Sequence, residues 1–451
     1  MEQLISSENK MGTMPVRKLL ITMSLPMMFS MLVQALYNIV DSIFVAMISE
    51  NAFTAVSLSF PVQNLIISIA VGTGVGMGSL LSRFLGEKRQ RMVNKTAANG
   101  LIIYLFSYLL ILLFGIFFTR PFFEVQSSVK EITDFGYDYL FICAAGSFCV
   151  FIEIYFSRLL QSTGRTLLSM ISQLTGSITN IILDPVLIFS CGMGIKGAAI
   201  ATVMGQAVGA LTAFLLNVLY NKDIQFKFKY FLPDFKVIGK IYSVGLPSIL
   251  MQSVGSVALF FMNKILAVFG ETAVNVFGAF FKTQSFFFMP VFGLNNGMVP
   301  IVAYNFGAKN KERIMKTVKL SISFAILIMG LGVLIMQIFP EVLLGMFNAS
   351  DKMLRLGVPA LRIISLSFFG AAVSICLNSV SQALGNGVYS FIVAFSRQII
   401  LLLPAAFLLS LSGNLNLVWL AFPIAEVGSV IISLLFFKDL YKNKICRFNE
   451  D

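Results

Sequence analysis

Twelve long apolar runs constrain this chain more than any other feature, at about 18–45, 53–81, 97–119, 136–158, 168–190, 197–220, 240–268, 273–302, 317–339, 359–382, 391–411 and 417–437. An α-helix needs about 20 apolar residues to cross a bilayer core, and every run meets that length or nearly so. The runs are too long and too uniformly apolar for barrel strands, whose side chains alternate between lipid and lumen, which leaves helix as the state. Composition removes the soluble alternatives. The chain is 57% hydrophobic and 12% charged, against about 25% charged in a soluble domain. A soluble enzyme and a disordered binder are both excluded. The expected fold class is an all-α polytopic membrane protein with 12 transmembrane helices.

The net charge of +12 would suit nucleic acid, but its placement does not. Of the 33 Lys and Arg, 25 fall in one set of alternating loops and tails, and 8 in or near the opposite set. This asymmetry is the positive-inside pattern, with both termini cytoplasmic and an even number of spans. The basic loops are expected to face anionic headgroups, with no nucleic-acid partner. The five cysteines (Cys143, Cys149, Cys191, Cys376, Cys446) are scattered and offer neither a disulfide framework nor metal-ligand spacing. The chain has no His, so any proton chemistry falls to carboxylates. The apolar run after Lys10, Arg17 and Lys18 is expected to be an uncleaved first helix.

The two halves repeat at a constant offset of 221 residues. Leu25-Pro26 recurs as Leu246-Pro247, Gln63 as Gln284, Gly72 and Gly76 as Gly293 and Gly297, Gly86 as Gly307, and Gln161 and Gly164 as Gln382 and Gly385. Six spans per half make this a parallel repeat, two lobes related by an axis along the membrane normal. The expected division is a tail over 1–17, an N-lobe over 18–220, a cytoplasmic linker over 221–239, a C-lobe over 240–437 and a second tail over 438–451. The repeat breaks where oxygen ligands stand. Asp41 maps to Met262, Asn180 to Leu401, Asp184 to Ala405 and Thr202 to Pro423.

Of 21 acidic residues, only Asp41, Glu153, Asp184 and Glu426 lie well inside predicted spans. A charge there costs about 2.5–3.5 kcal/mol on insertion scales, so each needs a compensating reason. Gln34, Asn38 and Asp41 are spaced i, i+4, i+7 on one face of the first span, with Tyr37 beside them. Asn180 and Asp184 share a face of the fifth span, and Pro185 leaves the carbonyl of Ile181 without its helical partner. Thr202 follows Gly197-Ala198-Ala199 in the sixth span. Two carboxylates, an amide oxygen and a hydroxyl suit a small hard cation, or the carboxylates could share a proton. A buried polar knot that only locks helices is the plainer reading. Glu153, with Gln161, Gln252, Gln284, Lys282 and Glu426, forms the candidate substrate cavity. Glu153 could instead pair with Arg158, Glu426 is expected to reach Lys282, and Lys264 and Arg397 are expected to snorkel toward helix ends. The glycines of Val71-Gly-Thr-Gly-Val-Gly-Met-Gly-Ser79 read as close helix packing and not as a phosphate cradle, since no strand precedes them and no P-loop lysine follows.

Over about residues 15–440 the chain resembles the multidrug and toxic compound extrusion (MATE) transporters, most of all the bacterial MepA-like and DinF-like branch. The resemblance rests on Leu25-Pro26-Met27-Met28 leading to Gln34, Tyr37-Asn38 and Asp41, on the glycine-rich second span ending at Ser82-Arg83 and Gly86, and on Asn180…Asp184-Pro185 followed by Gly197-Ala198-Ala199 and Thr202. It implies a two-lobe antiporter, not an enzyme, that exports amphipathic cationic drugs in exchange for sodium ions or protons. It also implies that Asp41, Asn180, Asp184, Thr202 and the Ala198 backbone form the N-lobe cation site, with Pro26 as a hinge. The seventh and tenth spans lack the carboxylates of another branch, which makes the N-lobe cluster the expected coupling site. A monomer in a prokaryotic inner membrane, with no cofactor beyond the coupling ion and no structural metal, completes the expectation. The alternative on the same architecture is a flippase or exporter of a lipid-linked precursor or specific metabolite.

Overall fold

A computed structural model describes residues 9–227, 230–347 and 349–449, so the first eight residues, two residues of the linker, residue 348 and the last two lie outside the description. The described residues are helical throughout, with no strand. A short helix α1 (Lys10–Thr13) precedes α2 (Val16–Ala46), α3 (Glu50–Gly86) and α4 (Gln90–Gln126). Next come α5 (Lys130–Ala145), α6 (Ser147–Ser162), α7 (Thr166–Pro185) and α8 (Gly194–Tyr220). The second half runs through α9 (Phe235–Ala267), α10 (Glu271–Gly307), α11 (Lys311–Ile338), α12 (Pro340–Gly345), α13 (Asp351–Ser365) and α14 (Phe368–Ala383). It ends with α15 (Gly387–Phe395), α16 (Leu403–Ser410), α17 (Leu415–Trp419) and α18 (Ala421–Leu440).

Ten helices are long and apolar enough to span a membrane, and twelve spans result when α5 with α6 and α13 with α14 each count as one bent span. The fourth and tenth spans are therefore broken, by 42° and 46°, where the apolar runs gave no warning. Their breaks, at Gly146 and at Leu366-Ser367, occupy matching places in the two halves. The repeat is also written in the backbone. Lys88 (φ 57°) and Lys309 (φ 53°) close the turns after α3 and α10, and Gly164 (φ 85°) and Gly385 (φ 79°) close those after α6 and α14.

Glycine holds the lobes together. In hydrocarbon, two apolar surfaces gain nothing by leaving lipid, so association depends on close van der Waals fit. A Cβ on Gly76 would stand 2.2 Å from the carbonyl oxygen of Ile241, and one on Gly72 would stand 2.8 Å from the backbone nitrogen of Ile249. The mirror contacts bring Gly293 and Gly297 of α10 against the backbone of Met27, Met28 and Ser24 in α2, where Ser24 Oγ donates to Leu294 O at 3.1 Å. Gly86 and Gly307 complete the seam, each abutting a carbonyl of the opposite helix (Tyr304 and Arg83). The first helix of each half thus packs on the second helix of the other.

All these contacts lie at the basic end of the molecule. There α1 joins both lobes. Asn9 Nδ2 donates to Thr163 O at 3.1 Å, and the Met11 carbonyl accepts from Asn305 Nδ2 at 3.1 Å and Arg313 Nη2 at 3.0 Å. Burial and the nearby Arg165 hold the Lys10 amine below the ordinary lysine range. The linker is tacked to the foot of α4. Asn94 Oδ1 accepts from Gln225 N at 2.9 Å, Asn99 Oδ1 accepts from Asp234 N at 2.7 Å, and Lys95 pairs with Asp234. The Lys95 hydrogen bond holds the Asp234 carboxyl below the usual carboxylate range.

Gly76→Ala is expected to cost about 1–3 kcal/mol, because a methyl there meets the α9 backbone at Ile241 and Gly245. Gly278→Ala, with nothing within 4 Å of its added Cβ, is expected to be neutral or slightly stabilising. Thermal unfolding of the purified variants in detergent checks the contrast.

Candidate cation site in the N-lobe

The carboxyl groups of Asp41 and Asp184 lie within hydrogen-bonding reach of each other, although one comes from α2 and the other from α7. Asp184 is fully buried and Asn180 nearly so. The Asn180 amide satisfies both neighbours when its nitrogen donates to Asp184 Oδ2 at 3.2 Å and its oxygen accepts from the Thr202 backbone N–H at 3.2 Å. Thr202 Oγ1 donates to the Ala198 carbonyl at 3.0 Å. The structure therefore brings together Asp41, Asn180, Asp184, Thr202 and Ala198.

Local sequence explains how three helices converge here. Proline cannot donate a backbone hydrogen bond, and α7 passes at Pro185 into a π-helical turn over Val186–Ser190. Gly197 lets α8 close on that turn, since a Cβ there would lie 2.8 Å from the Leu187 carbonyl oxygen. Deeper in the lobe, Gly176 and Gly205 bring α7 and α8 into backbone contact. Asp41 Oδ1 is buried and has no hydrogen-bond partner. Among the described residues no lysine or arginine acts on Asp41, Glu153 or Asp184. Two ionised carboxylates this close repel strongly in a low dielectric, so a proton or a small cation must neutralise the pair.

The face of α2 is graded rather than uniform. Tyr37 lies close to Asp41, Glu153 and Asp184, while Gln34 and Asn38 on the adjoining edge are exposed. Gln63, Tyr139 and Cys143 also lie in this neighbourhood, and none of them is among the candidate site residues read from the sequence. Gln63 Nε2 donates to Tyr139 OH at 3.1 Å and to Cys143 Sγ at 3.8 Å, and Tyr139 lies near Asp41. The repeat match of Gln63 with Gln284 was the one available signal. Gln161 is buried in a hydrogen-bonded set, donating to Ser169 Oγ at 2.9 Å. Gln173 extends the set, bonding Ser169, Ser157 and Ser30, and Ser30 ties α2 to α7 at 2.6 Å.

Two pairings and one side-chain orientation read from the sequence are overturned. Glu153 does not meet Arg158. Its carboxylate lies in the space left by Gly176 and Gly209, whereas Arg158 Nη1 donates to Gln161 Oε1 at 3.0 Å and to Asn296 Oδ1 at 3.1 Å. Glu426 does not meet Lys282, which is exposed. It accepts from Ser374 Oγ at 2.6 Å and pairs with Arg397 Nη1 at 3.4 Å. Arg397 accordingly turns inward and does not snorkel. The reason lies in the repeat: Arg397 and Glu426 stand where Gly176 and Gly205 stand in the N-lobe. An ion pair joins two helices in the C-lobe where glycine contact joins them in the N-lobe. Gln252 and Gln284 are half-buried in the C-lobe, with no contact that places them beside Glu426.

The MatE family model matches residues 26–186 and 247–408. These two segments start 221 residues apart and cover most of both halves. The chain belongs to the MatE family. It is a MATE transporter and not an enzyme. It is similar to the multidrug export protein MepA of Staphylococcus haemolyticus, 26% identical over 404 residues and covering 89% of each chain. It is similar also to MepA of Staphylococcus aureus, 26% identical over 417 residues and covering 90% of each. Among solved structures it is similar to one described as the outward-facing conformation of a multidrug resistance MATE family transporter, at 25% identity and TM-score 0.92, covering 99% of each chain. The two-lobe fold and its repeat are those of MATE transporters.

Arg397→Ala leaves the Glu426 carboxylate buried beside Ser374 alone. A cost of about 1–3 kcal/mol is expected after allowing for the partial exposure of the guanidinium. Adding Glu426→Gln should recover most of it, and melting curves of the single and double variants check both steps.

Proposed function

We propose that this chain is a secondary active multidrug efflux antiporter. It exports amphipathic organic compounds bearing a cationic group in exchange for sodium ions or protons. The observation that carries the reading is the Asp41–Asp184 pair, two buried carboxyls from different helices with no basic partner and one oxygen left unbonded. Such a pair requires positive charge, and the Asn180, Thr202 and Ala198 oxygens around it suit either a desolvated sodium ion or a shared proton. The MepA relatives, described as multidrug export proteins, support export as the direction and drugs as the cargo.

The transport step is alternating access by rocking of the lobes. Their contacts lie at the basic end, which the positive-inside pattern makes cytoplasmic, with both termini on that side. Beyond Met28 in α2 and Ile249 in α9 the helices expose Leu36, Ile39 and Ile43, and Val257, Phe260 and Phe261, respectively. This arrangement suits a cleft open to the outside. A cation arriving from outside neutralises the carboxyl pair and repositions α2 about Pro26. The cation must bind the two states unequally, since equal affinity would drive nothing. Apolar groups and Glu153 hold the drug. The protein works as a monomer in a prokaryotic inner membrane.

Efflux of a fluorescent organic cation from proteoliposomes, under a sodium gradient or a pH gradient imposed separately, tests the reading. One gradient should drive efflux in the wild type, and Asp184→Asn should lower the driven rate at least tenfold. Undiminished driven efflux in folded Asp184→Asn would contradict coupling at this pair. Translocation of a pyrophosphate-linked lipid, with no organic-cation efflux under either gradient, would make the chain a flippase.

A further inference from the structure

Arg158 is a cation at the meeting line of the lobes, and no anion among the described residues answers it. Its aliphatic stem lies in a notch made by Gly74 of α3, where an added Cβ would stand 2.7 Å from its Cγ. The guanidinium then crosses the seam to Asn296 of α10. Only one of its nitrogens is engaged. Nη1 serves both Gln161 Oε1 and Asn296 Oδ1, and Nε and Nη2 have no acceptor among the described residues. That free edge is the pair of parallel N–H groups that takes a carboxylate in a two-point grip. Among the described residues no carboxylate acts on it, and its one titratable neighbour there is the Tyr104 hydroxyl, which is engaged with the Ala70 carbonyl.

Two neutral amide oxygens do not discharge an arginine at membrane depth, and an intramembrane charge without a partner marks a ligand path by default. The other half has neither part of this device. Ser379 stands in place of Arg158, and Asn295 in place of the Gly74 notch. The residue is therefore no requirement of the shared scaffold. Its level places it at the floor of the inter-lobe cleft: Gly74 lies between Gly72 and Gly76, whose contacts with α9 close the seam.

We propose that Arg158 is an anion subsite of the substrate cleft, and that the compounds best recognised carry a carboxylate as well as a cationic group. The proposal rests on the efflux reading and names its substrate class. The cationic end faces the N-lobe acids and the carboxylate grips the free edge of Arg158. Glu153 precedes Arg158 by five residues on α6, an axial separation of about 7.5 Å. A zwitterion with charges at least that far apart spans both. The carboxylate takes Nε and Nη2, so the Nη1 bond to Asn296 stays in place.

Rhodamine 110 and its methyl ester, rhodamine 123, share one xanthylium cation and differ in a free carboxylate, so fluorescence anisotropy with purified protein isolates the subsite. Wild type is expected to bind rhodamine 110 at least tenfold more tightly than the ester. Arg158→Gln should abolish that preference and leave the Kd for the ester within about threefold. Arg158→Lys keeps the charge and loses the two-point grip, and it should retain a reduced preference; it also serves as the test should Arg158→Gln fail to fold. Asn296→Ala frees the guanidinium and should preserve or raise the preference. Equal binding of the two dyes by wild type, or a preference that survives Arg158→Gln, would overturn the subsite while leaving the efflux reading intact. Failure of wild type to bind either dye would count against the efflux reading itself, and the subsite would fall with it.

Discussion

One helix, α2, belongs to both lobes, and the rest of the structure depends on how it is held. Its first half lies on α10, clamped where Ser24, Met27 and Met28 meet Gly297 and Gly293. Its second half carries Tyr37 and Asp41 into the N-lobe, where Asp41 meets Asp184 of α7. Pro26 stands within the clamp, and Ser30 bonds Gln173 one turn beyond it. Lipid gives no reward for pressing apolar lobes together, so the clamp is a matter of fit between backbones. Fit of this kind holds firmly in one register and poorly in any other. The helix that fits the seam is thus the same helix that carries Asp41 into the N-lobe.

The lobes share a scaffold and divide the electrostatics. In the N-lobe, glycine contact between α7 and α8 leaves room for Glu153, and no arginine or lysine answers its charge or that of the Asp41–Asp184 pair. In the C-lobe the matching positions carry Arg397 and Glu426, which neutralise each other. Met262, Leu401 and Ala405 replace the oxygens of the candidate cation site. Unanswered negative charge is thus concentrated on one side, and Arg158 supplies unanswered positive charge at the dividing line. A repeat that conserved its chemistry would give two equal cation sites; this one leaves a single buried carboxyl pair.

Much of this was legible in the sequence because membrane insertion imposes simple rules. Apolar run length located the spans, Lys and Arg placement gave an even count, and a constant offset exposed the two halves. Asp41, Asn180, Asp184 and Thr202 stood out because polar groups in a span need a reason, and they do converge. What stayed hidden depends on direction rather than identity. Apolarity is blind to a bend, so the breaks at Gly146 and Leu366-Ser367 went unseen. In the sequence Arg158 could pair with Glu153, whereas the Gly74 notch and the bonds to Gln161 and Asn296 turn it away. Arg397 and Glu426 are 29 positions apart, and the glycines in their place in the N-lobe gave no hint of an ion pair. Tyr139 and Cys143 read as ordinary apolar filling until Gln63 is seen between them and the site.

The central claim is that cation binding at the Asp41–Asp184 pair changes the spacing of the lobes. Met47 and Val268 are exposed repeat-mates at the ends of the helices that lead each lobe outward. Pulsed EPR distances between spin labels at these two positions, with the native cysteines replaced, report that spacing directly. The account predicts that raising sodium or lowering pH shifts the distance distribution in the otherwise unchanged protein and leaves Asp41→Asn unmoved. A shift that persists in Asp41→Asn, or a wild-type distribution indifferent to both cations, would contradict it.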